Sequence, residues 1–165
     1  MSPFRPSDLP DILAYAGNEE VARTVLWPAH KTLEDSQAYL DWIERNLFFE
    51  PGKLFFVWAL RKVEDGKAIG SIDFKQPYPH VGQIDYAIAQ SEWRKGYVTE
   101  AALTVKKWAF ENLPELQRFQ SFCIASNIAS RRVMEKCGME FEGLRKKAIA
   151  LKGIPVDLAC YALVK

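Results

Sequence analysis

The 165 residues hold 22 Lys and Arg against 21 Asp and Glu, a formal net charge of +1, with 48% hydrophobic and 26% charged residues. That balance supplies no overall field to gather nucleic acid or an anionic membrane, so neither partner is expected and any anion site has to be local. The length fits one domain with a sizeable core, expected over residues 1–165 as a monomer or homodimer. The longest strongly apolar run, residues 54–60, is far short of the roughly 20 residues of a spanning helix. Residues 1–10 are interrupted by proline and Asp8 and lack the apolar segment of a secretory signal, so a cytoplasmic protein is expected. Cys123, Cys137 and Cys160 are odd in number and widely spaced, which reads as reduced, buried thiols. His30 and His80 have no ligand partner at metal spacing, so no metal is expected.

In chain order, Ser7 heads a helix running to about Gly17. Thr32 with Asp35 makes a capping-box pattern ahead of a second helix carrying Tyr39, Leu40, Trp42, Ile43 and Leu47. Residues 54–62, rich in Phe, Val and Trp, meet an Asp65-Gly66 turn and a second apolar stretch over 68–74, which predicts a hairpin. Residues 83–89 alternate Gln83, Asp85 and Ala87 against Ile84, Tyr86 and Ile88, so a third strand carries one polar face. A polar loop over 91–97 feeds a helix over 99–112, whose stripe is Ala101, Ala102, Val105, Trp108 and Ala109. A strand over 116–125, a short helix over 126–137 stopped by Gly138, and two strands joined at Lys152-Gly153 complete the chain. The order predicts an α/β (α+β) fold with a mixed sheet carrying helices on its faces.

The segment Trp93-Arg94-Lys95-Gly96-Tyr97-Val98-Thr99-Glu100-Ala101 sets a glycine between basic residues and a helix start. The first N–H groups of a helix lack intrahelical acceptors, the dipole is positive there, and glycine leaves room for a close phosphate, so a diphosphate suits it. A structural turn explains a lone glycine about as well.

Together with the downstream Asn127-x-x-Ser130-Arg-Arg-Val-Met134-Glu-Lys-x-Gly138 helix and Glu142-Gly-Leu-Arg145, the Gly-Tyr-x-Thr-Glu-Ala turn resembles the GCN5-related N-acetyltransferase superfamily. Within it the likeness is to the ribosomal-protein-alanine N-acetyltransferase branch, which Gly153, Asp157 and Tyr161 also fit. The resemblance is strongest from about Ile84 onward. It implies a mostly antiparallel sheet of six to seven strands with about four helices, its fourth and fifth strands splayed around acetyl-CoA. That branch opens with a strand ending in Leu-Arg-Pro; here Phe4-Arg5-Pro6 comes almost at once, so the first strand has to be short. The pantetheine arm is then expected along the third predicted strand, with the pyrophosphate on the N–H groups of Arg94, Lys95, Gly96, Tyr97, Val98 and Thr99. Asn127 and Ser130 would touch the arm from the other side. Two departures stand out. The superfamily's Gln/Arg-x-x-Gly-x-Gly/Ala is Trp93-x-x-Gly96-x-Val98 here, and Met134 replaces a tyrosine that many members use to protonate the departing thiolate.

Acetyl transfer to an amine needs a neutral amine, support for a tetrahedral oxyanion and a way to discharge the thiolate, with no acyl-enzyme on a cysteine. An amine with a pKa of about 10 is mostly protonated at neutral pH, so a carboxylate should take its proton. Asp85 on the polar strand face is the first candidate, against a plain solvated Asp; Asp73 and Glu100 are weaker ones. A backbone N–H near Ile88 is the candidate oxyanion donor. Ser130 is the candidate hydroxyl for the thiolate, against a role as a cofactor contact alone, and solvent protonation is the alternative. Tyr86 and Tyr161 read as core, and His30 as a surface residue or a wall of the acceptor site. One of two basic clusters, Arg131-Arg132 with Lys136 or Arg145-Lys146-Lys147, suits the cofactor's 3'-phosphate, with Arg132 the named candidate; a solvated face is the plain reading. Three functions follow: acetylation of a protein N-terminal α-amine, acetylation of a small amine such as an antibiotic or polyamine, or an acyl-CoA-binding domain without turnover.

Overall fold

A computed structural model describes residues 1–47 and 54–165. Helices α1 (Leu9–Ala16), α2 (Glu19–Ala22) and α3 (Leu33–Asn46) precede strands β1 (Phe55–Arg61), β2 (Ala68–Tyr78) and β3 (Val81–Ile88). Then come α4 (Tyr97–Asn112), β4 (Arg118–Ile124), α5 (Ile128–Lys136), β5 (Glu140–Leu151) and β6 (Ile154–Val164). The strands form one sheet in the order β1-β2-β3-β4-β6-β5, antiparallel throughout except for β3 and β4. This is the mixed, mostly antiparallel α/β architecture expected, short opening strand included, with one helix more than was foreseen. The opening strand shrinks to a single bridge between Ser2 and Ala59, and α2, capped by the Asn18 side chain, is too short to have shown a helical period.

Local chemistry explains most boundaries. Thr32 and Asp35 form the capping box foreseen at the head of α3. Ser7 does not cap α1: it falls in a 3-10 turn over Pro6–Asp8, where the Asp8 carboxylate takes the Arg5 N–H at 2.7 Å. Gly66 closes the β1–β2 hairpin at φ 71°, and Lys152 and Gly153, both at positive φ, close β5 to β6. β2 runs four residues past its predicted end because Lys75 and Tyr78 pair with Gln83 and Val81 of β3.

The two sheet faces are covered differently. On one, α4 lays Val98, Ala101, Ala102, Val105 and Ala109 against Ile72, Phe74, Ile84 and Phe119, all buried. The small alanines let the helix lie close, and Trp108 fills the side with edge contacts to Phe56, Trp58 and Phe74. On the other, α1 and α3 bury Ile12, Tyr15, Leu40 and Ile43 against Val57. At one end of the sheet a buried ion pair binds the N-terminal segment to β1. Arg61 donates to both Asp8 oxygens, at 2.8 and 2.5 Å, and also to the Ser2 hydroxyl at 2.6 Å and the Pro3 carbonyl at 3.2 Å. With the two side chains only 12% and 6% exposed, Arg61→Leu would strand a buried carboxylate. A loss of about 3–5 kcal/mol in urea unfolding is expected; a loss within the range of a surface bridge, about 1 kcal/mol or less, would show that water screens the pair.

Candidate active site at the strand divergence

β3 and β4 pair only at Val81–Arg118, Gly82–Phe119 and Gln83–Gln120. Beyond that the strands part, and the Ser121 hydroxyl donates to the Ile84 carbonyl at 2.8 Å where the separation starts. The expected splay is therefore present, at the third and fourth strands of this numbering. The Ala89 N–H is given to the Ile69 carbonyl of β2 at 2.8 Å. Peptide groups alternate along a strand, so those of Tyr86 and Ile88 face the gap instead. Gly70 lets β2 and β3 close up on the other side: a Cβ built there would lie 2.8 Å from the Ile88 Cα.

The loop between β3 and α4 carries the residues chosen from sequence. Arg94 has φ 64° and Gly96 φ 90°, so two left-handed residues stand in this turn, the kind of backbone from which anion nests are built. Arg94, Lys95 and Gly96 are exposed, and nothing lies within 4 Å of a Cβ built on Gly96, so the loop is open above it. Helical bonding begins with the Glu100 N–H to the Gly96 carbonyl, at 3.0 Å; the N–H groups of Tyr97, Val98 and Thr99 precede it. Val98, unusual against the superfamily pattern, is buried in the main core and turned away from the loop. The other departure, Trp93, has a visible role, since its indole N–H donates to the Ile88 carbonyl at 3.0 Å and ties the loop to the strand end. Glu92, buried, is neutralised by Lys95 at 2.9 Å and Lys62 at 3.8 Å.

Across the gap, Asn127 is the N-cap of α5, its Oδ1 taking the Ser130 N–H at 3.1 Å. The Ser130 hydroxyl is 2.8 Å from the Tyr86 hydroxyl, and the Ser130 carbonyl, at 3.1 Å, is the alternative acceptor for the single phenol proton. Tyr86, read from sequence as core, thus reaches from strand to helix across the divergence; burial raises its pKa, so it stays a phenol at neutral pH. Met134 is fully buried. Arg131 is committed to structure, donating to the Tyr161 hydroxyl at 2.9 Å and lying over the Phe141 ring. Arg132 is exposed. All three cysteines are buried, and burial pushes the Cys123 thiol up to about 11, far from a thiolate.

The opposite sheet face holds the carboxylates. Asp85 is paired to Lys75 at 2.5 Å and to the Gln83 amide at 3.2 Å. Gln83 continues to Gln120 at 3.2 Å, Gln120 to Arg118 at 2.7 Å, and Arg118 to both oxygens of Glu142. A polar line therefore crosses β2, β3, β4 and β5. Asp73 pairs with Asp85 in the β2–β3 register, and its Oδ1 is buried with no hydrogen-bond partner. Burial first, then the neighbouring Asp85 charge, pushes its carboxyl up to about 8 against the pull of Lys75. His30 is half-buried against the Ser36 hydroxyl at 3.1 Å and the Trp27 ring; desolvation lowers its pKa. Among the described residues no group of three or more His, Cys, Asp and Glu is placed to hold a metal ion, and no helix is long and apolar enough to cross a membrane.

Several known proteins share this arrangement. The acetyltransferase (GNAT) domain family matches residues 1–140. The N-acetyltransferase YoaA of Bacillus subtilis, itself uncharacterized, is 26% identical over 161 residues, 96% of this chain and 88% of the relative. A GNAT-family acetyltransferase structure from Bacillus anthracis superposes with a TM-score of 0.85 at 24% identity, covering 99% of this chain and 92% of that one. The ribosomal-protein-S5-alanine acetyltransferase of Vibrio fischeri does so at 0.76 and 22%, covering 98% and 90%.

The raised Asp73 carboxyl carries a stability signature. Its folded-state value lies above the ordinary carboxylate value, so between about pH 4 and about 8 the folded protein holds a proton that the unfolded chain has released. Keeping Asp73 buried therefore costs stability as pH rises through that window and nothing below it. Asp73→Asn is expected to melt above the parent at pH 8 to 9 and level with it near pH 4; a difference that stays constant across this range contradicts the assignment. The divergent parallel strands, the glycine turn into α4 and the family match over most of the chain identify it as a member of the GNAT acetyltransferase family, an acetyl-CoA-dependent N-acetyltransferase.

Proposed function

We propose that the acceptor is a protein N-terminal α-amine, acetylated by direct attack on acetyl-CoA bound in the gap between β3 and β4. The observation that carries the acceptor reading is charge compensation. On the carboxylate face Asp85 is matched by Lys75 and Glu142 by Arg118, which leaves Asp73, among the described residues, as the one carboxylate there without a cation of its own. A polyamine needs several uncompensated carboxylates; a single amine at the end of a peptide needs one. The polar line from Lys75 to Glu142 adds hydrogen-bonding groups that suit a peptide backbone. Fold alone does not choose, since a spermidine N-acetyltransferase of Vibrio cholerae shares it at 14% identity and a TM-score of 0.76.

In this reading the cofactor's pyrophosphate lies on the N–H groups of residues 94–99, where the paired left-handed residues support an anion site at a helix start. The Ile88 N–H faces the thioester oxygen and stabilises the oxyanion. Asn127 spends its side-chain oxygen on the α5 cap, so its contact with pantetheine falls to the amide NH2. Arg132 takes the 3'-phosphate. Ser130, hydrogen-bonded to Tyr86, passes a proton to the thiolate, with the phenol as the donor behind it.

The acceptor is tested by thiol release from acetyl-CoA over a panel of N-terminal peptides, spermidine and an aminoglycoside. Peptides are expected to give the highest kcat/KM, and faster turnover of spermidine than of any peptide contradicts the reading. The cofactor placement has its own test. Gly96→Val forces a β-branched residue to φ 90° and crowds the anion, so acetyl-CoA affinity by calorimetry should fall on the order of 10-fold or more; unchanged affinity refutes the placement. For the thiolate, Ser130→Ala and Tyr86→Phe should each lower kcat about 10-fold with acetyl-CoA affinity retained. Weaker cofactor binding with kcat intact at saturation would make Ser130 a cofactor contact only.

A further inference from the structure

Asp73 sits near the middle of β2, directly across from Asp85. Because Ala89 gives its N–H to β2 and peptide groups alternate along a strand, those of Asp85 face β2 too, and the pair is of the hydrogen-bonded type with Cα atoms about 5.5 Å apart. Both carboxylates leave the sheet on the side covered by α1 and α3. There the likeness between them ends. Asp85 is held by Lys75 and Gln83. Asp73 has a wholly buried Oδ1 with no partner, on a residue that is still partly open to solvent. A buried carboxylate oxygen left without a donor is rare in native proteins and calls for a use.

We propose that Asp73 is the general base that takes the proton of the acceptor amine, and that Asp85, fixed by Lys75, sets its basicity without touching the substrate. The proposal rests on acetyl-CoA lying in the β3–β4 gap. Asp85 stands three residues before Ile88, about 10 Å along the strand, a span that a side chain, one ordered water and the attacking amine fill. The ammonium R–NH3+ gives one proton to the Asp73 carboxylate. The freed nitrogen attacks the thioester carbonyl carbon, forming the C–N bond. The oxyanion collapses and the C–S bond breaks; sulfur takes a proton from Ser130 and leaves as CoA–SH, and the second nitrogen proton passes through water to restore the Ser130–Tyr86 pair. Asp73 then releases its proton to water through its open side, so ammonium and acetyl-CoA become amide, CoA–SH and one proton.

The groups facing Asp73 fit this role. From the sheet come Asp85, which raises its pKa, and Lys75, which lowers it. From α3 comes Tyr39, whose phenol is pushed up to about 12 by burial; behind it Tyr15 of α1 is also raised well above its ordinary value by burial, and both phenols, which share Ser71, stay protonated. The apolar Val57 of β1 backs the carboxylate. A base near 8 matches a peptide α-amine, whose own pKa is about 8, better than a lysine side chain of about 10.4.

The test follows kcat against pH for the parent, Asp73→Asn and Asp85→Asn with the best amine of the panel, alongside acetyl-CoA affinity. Asp73→Asn should lower kcat about 100-fold or more, abolish the acid limb and leave acetyl-CoA affinity unchanged. Asp85→Asn should move the acid limb of kcat to lower pH, because the charge that raised Asp73 is gone. Methoxyamine, already neutral at pH 7, should be acetylated by Asp73→Asn nearly as well as by the parent. Carbon-13 carboxyl NMR of the parent bound to acetyl-CoA should show an aspartate titrating above about pH 6. An acid limb that survives Asp73→Asn, its loss in Asp85→Asn instead, or the absence of any such high-titrating aspartate overturns the proposal. Failure of the parent to bind acetyl-CoA, or unchanged binding in Gly96→Val, strikes the cofactor placement and leaves these outcomes separately readable.

Discussion

A pair of parallel strands ordinarily stays paired along its length, because each buried N–H or C=O left without a partner costs about 1–3 kcal/mol. β3 and β4 part after Gln83 and Gln120 nonetheless, and most of the site depends on that parting. One exposed backbone group is satisfied at the fork itself, where Ser121 donates to Ile84. Another, the Ile88 carbonyl, is taken by the Trp93 indole. What remains is a strand edge facing a gap, a place where an extended chain of amides can add as a further strand. The cost of the divergence is offset only in part by the protein's own groups, which is the condition under which a ligand gains from completing the ladder.

The same fork sorts chemistry between the sheet faces. Along β3, Ile84, Tyr86 and Ile88 point to the side of α4 and α5, whereas Gln83, Asp85 and Ala87 point to the side of α1 and α3. Strand periodicity therefore separates the hydroxyl pair Tyr86–Ser130 from the carboxylate pair Asp73–Asp85 without any loop to position them. A thioester in the gap would have a proton donor on one side and a proton acceptor on the other. Regular strands hold such groups more rigidly than loops do, which is what acid–base work over a few ångströms requires.

How much of this is legible in the sequence depends on the range of the interaction. The capping box of Thr32 and Asp35, the Asp65-Gly66 turn, the alanine stripe of α4 and the glycine turn at Gly96 are signals within a few residues, and the structure carries each of them. Asp85 on the polar face of β3 and Ser130 on the Asn127 face of α5 are legible as residue types at their positions. Their partners are not, because Lys75 meets Asp85 and Tyr86 meets Ser130 only through strand register and helix packing. Asp73 is inconspicuous because its alternation within β2 looks ordinary; what marks it is the register that sets it against Asp85 and the oxygen left unpartnered beneath α3. Trp93 reads as a departure from the superfamily pattern, and nothing local announces that its indole closes the end of β3.

In the proposed mechanism the departure at Met134 is met from another element. At the place where many superfamily members carry a tyrosine, this chain buries a methionine completely in the core, and a thioether has no proton to give. A phenol is nonetheless delivered to the neighbourhood, from β3 rather than α5, as Tyr86. It reaches Ser130, one turn ahead of Met134 on the same helix. Burial keeps that phenol protonated, which a donor to a thiolate needs, and the serine hydroxyl can pass a proton on because it both donates and accepts. In the proposed proton transfer the fold has to supply a hydroxyl at the mouth of the gap with a protonated group behind it, a place that a strand side chain would fill as well as a helix side chain does.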